Sequence, residues 1–312
     1  MKLYQHIVLD PDSQELLHSS LPSSIELVTD RKEDAVGRRR ELFSDCEIAF
    51  GNIPADWLKD TGKLKWLQLE SVGFDPYLQV MPEYNKRGVM TNLHGFFGQP
   101  VAESALAGIL ALNRGIDELA LLKKNKEWKG GQLRSGLRLL QGAEVLIVGG
   151  GNIGQTFKKI LSGFDVDITV YDKNPASGDI TSPEDLEKQM HRSDILFSCL
   201  PDCDETKSFF NEHRLGLLSE SAIFVNVGRG TVVDEKVLVR LLKEGRIGGA
   251  VLDVTIDEPI PATDALWDCP NTIITQHTGG GSKDELRGKV RLFLDNLDLY
   301  LSGKTLKRIV AL

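Results

Sequence analysis

The stretch Val145-Leu-Ile-Val-Gly-Gly-Gly-Asn-Ile-Gly154 constrains the fold of this chain more than any other. A short apolar, β-branched run after Glu144 has the character of a buried parallel strand, and it stops at glycines that turn the backbone into a helix beginning near Asn152. In the spacing Gly149-x-Gly151-x-x-Gly154, Gly149 makes the tight turn, Gly151 lets the backbone approach a pyrophosphate, and Gly154 lets the helix pack closely on the strand. The helix N-terminus then offers free N–H groups and a positive dipole end to phosphates. A glycine-rich turn can also be only a turn. A second strand over residues 166–171 favours the dinucleotide reading, because it ends in Asp172 about 20 residues beyond the glycines, where a carboxylate can hold an adenosine ribose hydroxyl.

With 312 residues there is room for two domains. Before the fingerprint, strand candidates at 4–9, 25–28, 46–50, 66–69 and 89–91 alternate with more polar stretches, the signature of a parallel sheet covered by helices. After residue 69 comes Glu-Ser-Val-Gly-Phe-Asp-Pro, a strand end followed by a small-residue turn. Read blandly it is a βα loop; read sharply, Val72 and Gly73 present backbone N–H groups to a substrate carboxylate. Residues 99–122 read as one long, nearly all-apolar helix starting after Pro100, which must be buried between domains or subunits. The polar segment 123–138, with Trp128 in it, is expected to pack on a partner subunit, giving a homodimer.

Beyond the fingerprint, strands are expected at 195–199, 222–227, 249–254 and 272–275, with helices around 183–190 and 234–244. A last helix carries an apolar face of Leu286, Val290, Phe293, Leu294, Leu297 and Leu301, with Ser282 and Glu285 at capping-box spacing, and ends before Gly303. No sheet follows it, so a return to the N-terminal domain is expected.

A formal net charge of −8 argues against nucleic acid as the main partner. The basic run Arg38-Arg39-Arg40 is flanked by Glu33, Asp34 and Glu41 and reads as a solvated helix face. Cys46, Cys199, Cys203 and Cys269 are scattered, without paired metal spacing, so neither a disulfide framework nor a metal is indicated. Such cysteines fit a reduced cytoplasmic setting, and with no signal-peptide core in Met-Lys-Leu-Tyr-Gln-His and no apolar run of membrane-spanning length, a soluble protein is expected.

A dinucleotide fold names a cofactor, not a reaction. Three later residues supply one: Arg229 in Asn-Val-Gly-Arg-Gly, Glu258 in Asp-Val-Thr-Ile-Asp-Glu-Pro, and His277 in Thr-Gln-His-Thr-Gly-Gly-Gly, each after a strand. A guanidinium can grip a carboxylate or carbonyl oxygen, an imidazole can give or take one proton near neutral pH, and a carboxylate on the other ring nitrogen would orient it. A lone histidine after a strand is more often a cap or a surface residue, and His6, His18, His191 and His213 are left in that class.

Taken together these residues resemble the D-isomer-specific 2-hydroxyacid dehydrogenases, which include phosphoglycerate dehydrogenase and the glyoxylate/hydroxypyruvate reductases. The likeness runs over almost all of the chain: Val101-Ala102-Glu103, the fingerprint, Leu200-Pro201 with Thr206, Asn226-Val-Gly-Arg229-Gly, Leu252-Asp253-Val254 with Glu258-Pro259, and His277. It implies a Rossmann NAD-binding domain, 95–282, inserted into a flavodoxin-like substrate domain made of 1–94 and 283–312, with subunits pairing through the inserted domain. It further implies that Arg229 binds substrate, that His277 is the acid/base and that Glu258 is its partner. The cofactor would be held by Gly149, Gly151, Asn152, Ile153, Gly154, Asp172, Leu200, Pro201, Thr206, Val227, Gly228, Arg229, Asp253, His277 and Gly280, and the substrate by Val72, Gly73, Arg229 and His277. Three positions depart from the pattern: Gln276 where proline usually precedes the histidine, which suggests a less rigid backbone there, Gly150 for a larger residue, and Cys203 for a small hydroxyl residue.

The expected activity is NADH-dependent reduction of a small 2-oxo acid such as glyoxylate or hydroxypyruvate. The rival is an NAD(H)-sensing binding protein or co-repressor on the same fold, which the acidic charge disfavours. Formate dehydrogenases of this fold carry glutamine in place of Glu258 and are set aside. A short-chain dehydrogenase reading from Tyr300-x-x-x-Lys304 is rejected, since that pair lies across Gly303 and the fingerprint spacing is wrong for it.

Overall fold

The structure, a computed structural model, describes residues 1–29, 36–59 and 61–311. Glu33 and Asp34, which flank the arginine run in the sequence, lie outside the described residues. The chain divides into two units, Met1–Phe96 with Ser282–Leu312, and Phe97–Gly281.

In the first unit, β1 (Lys2–Gln5), α1 (Pro11–Ser20), β2 (Glu26–Thr29), α2 (Val36–Ser44), β3 (Ile48–Phe50), β4 (Trp66–Gln68), α3 (Met81–Tyr84) and β5 (Val89–Thr91) follow the alternation of the sequence. The start of α1 has a clear cause: Asp10 accepts from the Ser13 N–H at 2.9 Å, and Pro11 brings a φ already suited to a first turn. All strand pairs are parallel, in the order β2-β1-β3-β4-β5, the flavodoxin-like arrangement. On α2, Arg38 pairs with Glu41 at 2.8 Å and Arg40 with Asp56 at 3.6 Å, both with substantial exposure.

The chain returns to this unit as the last helix (Glu285–Leu301). Phe293 stacks on Phe50 at 4.5 Å and on Trp66 at 5.0 Å, and Asn296 accepts from the Lys307 N–H at 2.9 Å, so both aromatic packing and a buried amide tie the helix down. The expected capping box does not form. The helix begins at Glu285 after Asp284, which makes no side-chain cap, and the Glu285 carboxylate turns forward to Lys289 at 2.7 Å instead of back to Ser282.

The second unit opens with two helices where the sequence suggested one. These are α4 (Gly98–Arg114) and α5 (Ile116–Asn125), separated by Gly115 at φ 62°, a left-handed residue that ends one helix and starts the next. Asp117 and Glu118 in the first turn of α5 and Lys123 and Lys124 in its last favour the restart. One face of α4 is buried in its own unit: a Cβ on Gly108 would come within 2.6 Å of Val251 Cγ1. On α5, by contrast, Ile116 and Leu121 are more than half exposed, and the Trp128 side chain is 95% exposed.

The sheet follows as β6 (Glu144–Val148), α6 (Asn152–Leu161), β7 (Asp167–Tyr171), α7 (Pro183–Met190), β8 (Ile195–Ser198), α8 (Glu212–Leu215), β9 (Ile223–Asn226), α9 (Glu235–Lys243), β10 (Gly249–Leu252) and β11 (Thr272–Ile274), with the returning helix of the first unit then numbered α10. Its order is β11-β10-β9-β8-β6-β7, all parallel, and an isolated parallel bridge from Tyr171 to Ile180 extends it beyond β7. The chain runs from β6 to β7 and then crosses back to β8 on the other side of β6, a topological switch point of the Rossmann kind.

Candidate active site

Register aligns the strand ends. Tyr171 pairs with Val148, Val148 with Ser198, Ser198 with Asn226, Asn226 with Leu252, and Leu252 with Ile274, one row across the carboxyl edge of the sheet. Every residue singled out in this unit after a strand therefore emerges from the same edge, and β9 and β11 are only about 10 Å apart, two strand spacings.

Beside β6 the glycine loop has the form that a dinucleotide requires. Gly149 lies at φ 109° and its N–H donates to the Tyr171 carbonyl at 2.9 Å; a Cβ on Gly154 would collide with the Gly149 carbonyl. A Cβ on Gly151, by contrast, would meet nothing within 4 Å, and α6, which it caps, starts without a side-chain hydrogen bond at its cap. Asn152, at that start, and Ser198, at the end of β8, each hold a buried side-chain oxygen without a hydrogen-bond partner among the described residues, spare polar capacity on both flanks of the switch point.

Asp172 accepts from the Gly150 N–H at 2.7 Å and from the Asn174 N–H at 2.8 Å, which fixes the carboxylate and leaves lone pairs for a ribose hydroxyl. Gly150, the departure noted in the sequence, has a structural reason: a side chain there would collide with the Ser177 carbonyl, because the turn after Asp172 closes over the glycine loop. The cation next to Asp172 is engaged, since Lys173 pairs with Glu205. After β8, the Thr206 hydroxyl donates to the Pro201 carbonyl at 2.6 Å and accepts from the Cys203 N–H at 3.0 Å, folding Leu200–Thr206 into a closed loop. These features fit a bound dinucleotide.

After β9, Asn226 clips the turn that presents Arg229, accepting from the Gly228 N–H at 3.1 Å and donating to the Arg229 carbonyl at 2.9 Å. Buried Val227 anchors the strand end, and the Arg229 side chain, half-buried, donates to the Gly228 carbonyl at 2.8 Å. The position of Asn226 in its motif was legible, but its work on the backbone was not.

After β11, the chain turns through Gln276 and His277, both left-handed at φ 53° and 56°. Buried Asp253, after β10, closes that turn from beneath: its carbonyl accepts from the His277 N–H at 2.6 Å and its carboxylate from the Gly279 N–H at 2.9 Å. Gly280 follows, seated against Phe97. The His277 Nδ1 lies 2.6 Å from Glu258 Oε2, and the other Glu258 oxygen accepts from the Thr255 N–H at 3.0 Å. With Nδ1 engaged, Nε2 is the nitrogen left to exchange a proton, and more than half of the His277 side chain is exposed. A cavity of about 600 Å³ adjoins the pair, lined by Thr255, Pro259, Ile260, Trp267, Ile274 and Gln276 among others.

Val72 and Gly73 stand in the first unit, in the loop that follows β4. The Val72 carbonyl accepts from Asn92 Nδ2 at 2.8 Å and the Gly73 carbonyl from the Ser71 hydroxyl at 2.7 Å. Among the described residues no cluster of three or more His, Cys, Asp or Glu is arranged to hold a metal, and no helix is long and apolar enough to cross a membrane.

A Rossmann-type sheet with a glycine cradle at its switch point, and an arginine and a histidine–carboxylate pair on the same edge, defines a dinucleotide-dependent oxidoreductase. The model of the D-isomer specific 2-hydroxyacid dehydrogenase NAD-binding domain matches residues 106–279. The chain is 31% identical over 302 residues to a glyoxylate reductase of Thermofilum pendens, covering 92% of this chain and 88% of that protein. It is 30% identical over 268 residues to glyoxylate/hydroxypyruvate reductase B of Pectobacterium carotovorum, covering 83% of each. A solved D-isomer specific 2-hydroxyacid dehydrogenase family protein from Aeromonas salmonicida superposes with a TM-score of 0.84 at 25% identity, over 99% of this chain and 98% of its own. This chain belongs to the D-isomer specific 2-hydroxyacid dehydrogenases, NAD-dependent oxidoreductases acting on 2-hydroxy acids.

Proposed function

We propose that this enzyme reduces a small 2-oxo acid, of the size of glyoxylate or hydroxypyruvate, with His277 as acid/base. The observation that carries the reading is the 2.6 Å contact between His277 Nδ1 and Glu258 Oε2, on the same sheet edge as Arg229 and the glycine cradle. When bound, the nicotinamide supplies the hydride for reduction or accepts it for oxidation. Glu258 orients the imidazole and stabilises its protonated form, so that Nε2–H can protonate the oxygen of the reduced carbonyl; in the reverse direction neutral Nε2 takes the proton. Arg229 grips the substrate carboxylate and carbonyl oxygen through its planar fork. Val72 and Gly73 are proposed as backbone donors to the carboxylate, on the chemistry of their own loop. In this reading the first unit is the substrate domain and the second holds NAD.

Steady-state kinetics with glyoxylate, hydroxypyruvate, pyruvate and bulkier 2-oxo acids test the proposal. Highest kcat/KM is expected for one of the small acids. No turnover of any of them, with NADH binding retained, would favour the dinucleotide-sensing alternative. The four cysteines are free thiols, which supports a reducing, cytoplasmic setting.

A homodimer is proposed as well, supported by Ile116, Leu121 and Trp128, which leave apolar surface exposed on and after α5. Sedimentation should give twice the chain mass, and Trp128→Glu should lower that mass. A monomer at working concentration would contradict the assembly.

A further inference from the structure

We propose that Glu235 is a positioning residue for the His277–Glu258 pair, acting through the Thr255–Ile256 peptide. The inference deepens the reading of His277 as acid/base and rests on it.

Glu258 hangs on the loop after β10, and two kinds of contact shape that loop. Inside it, the Thr255 N–H donates to Glu258 Oε1 at 3.0 Å and the Thr255 hydroxyl to the Asp257 carbonyl at 2.9 Å. These bonds set the form of the loop but not its place over the sheet edge. Its place is set from outside. Buried Gly230 lies so close to the Thr255–Ile256 peptide that a Cβ would collide with Thr255 C and O and with Ile256 N. The Ile256 N–H donates to Glu235 Oε1 at 2.9 Å. Apolar packing does not replace this bond, for the Ile256 side chain is 52% exposed.

Gly230 and Glu235 belong to one short segment, from Arg229 into the first turn of α9, which Asp234 caps by accepting from the Val237 N–H. The segment that presents the substrate-gripping guanidinium therefore also seats the loop that presents Glu258. Glu235 is held there against an electrostatic cost: burial pushes its carboxyl up from the ordinary range, and Asp264, Asp257 and Glu258 push the same way, opposed by the bond from Ile256. Without that acceptor the Ile256 N–H loses its partner, the loop is free to lift from Gly230, and a displacement of about 1 Å takes Glu258 out of hydrogen-bond reach of His277.

The test is the pair of imidazole 15N resonances of His277, read by NMR in the full chain at one fixed pH, which needs no turnover. Glu258→Gln is expected to shift them, because a carboxylate only accepts and so holds the proton on Nδ1, whereas an amide can also donate. Glu235→Met, of similar length but with only a weak thioether acceptor, should produce at least half of that shift, and kcat for 2-oxo acid reduction should fall with it. Glu235→Gln keeps an acceptor for Ile256 and should stay much nearer the parent. Parent-like resonances in Glu235→Met beside shifted ones in Glu258→Gln would overturn the positioning role, as would Glu235→Gln moving as far as Glu235→Met. Should Glu235→Met not fold, the Ile256 amide resonance of the parent decides: it must follow the titration of Glu235, and an amide indifferent to it overturns the proposal. If Glu258→Gln leaves His277 unmoved, the acid/base pair itself is misread and the positioning role falls with it.

Discussion

Gln276 and His277 stand side by side in the left-handed region, at φ 53° and 56°, where a residue with a Cβ loses roughly 1–2 kcal/mol. Asp253 offsets this by accepting from the His277 N–H and gripping Gly279, so the turn is clamped from its own unit and is not the loose segment that the missing proline suggested. A proline ring holds φ near −65°, so proline at 276 would reshape the turn. Gln276→Pro should therefore destabilise the protein by more than about 1 kcal/mol and lower kcat, while Gln276→Gly should keep both near the parent. Thermal unfolding and steady-state kinetics read the two effects; an unimpaired Gln276→Pro would contradict the backbone argument. At this scale Arg229, Glu258 and His277 were legible because a polar side chain just after an apolar strand stands out. The work of Asn226, Asp253 and Glu235 on neighbouring backbone was not, since it depends on which strand ends lie side by side.

Among elements, the strand–glycine–helix unit was legible because each of its glycines answers a different steric demand, and β6 and α6 start within a residue of their expected places. The helix break at Gly115 was hidden by the apolar residues on both sides, which fit one long helix as well as two. The start of α10 was misjudged because capping-box spacing does not reveal that Lys289, one turn on, competes for Glu285. The turn after β7 carries a prediction of its own. Asp172 is fixed by two backbone N–H groups and Lys173 is engaged by Glu205, so the turn presents an anion to the ribose and NADH should be preferred over NADPH. Asp172→Ala should raise the ratio of kcat/KM for NADPH to that for NADH by about tenfold or more, equivalent to about 1.4 kcal/mol. Equal specificity constants in the parent enzyme would contradict the role of Asp172.

The whole molecule is two parallel sheets, each recovered from alternation of apolar runs with polar stretches, the first in flavodoxin-like order and the second reversing at β6. The alternation implied that α10 would return, since its apolar face had no sheet after it; Phe50, Trp66 and Phe293 supply the packing. Strand order itself was not legible, because parallel strands with similar apolar runs do not say who their neighbours are. It is that order, with one register row from Tyr171 to Ile274, that collects the cradle, Arg229, Glu258 and His277 on one edge. Single-turnover hydride transfer with His277→Ala is the most direct test of this account. The chemical rate should fall about 10²- to 10⁴-fold while NADH binding stays within a factor of about two, because in the proposed reading the glycine cradle and Asp172 are the main hold on the dinucleotide. Hydride transfer to a 2-oxo acid at the parent rate in His277→Ala would contradict it.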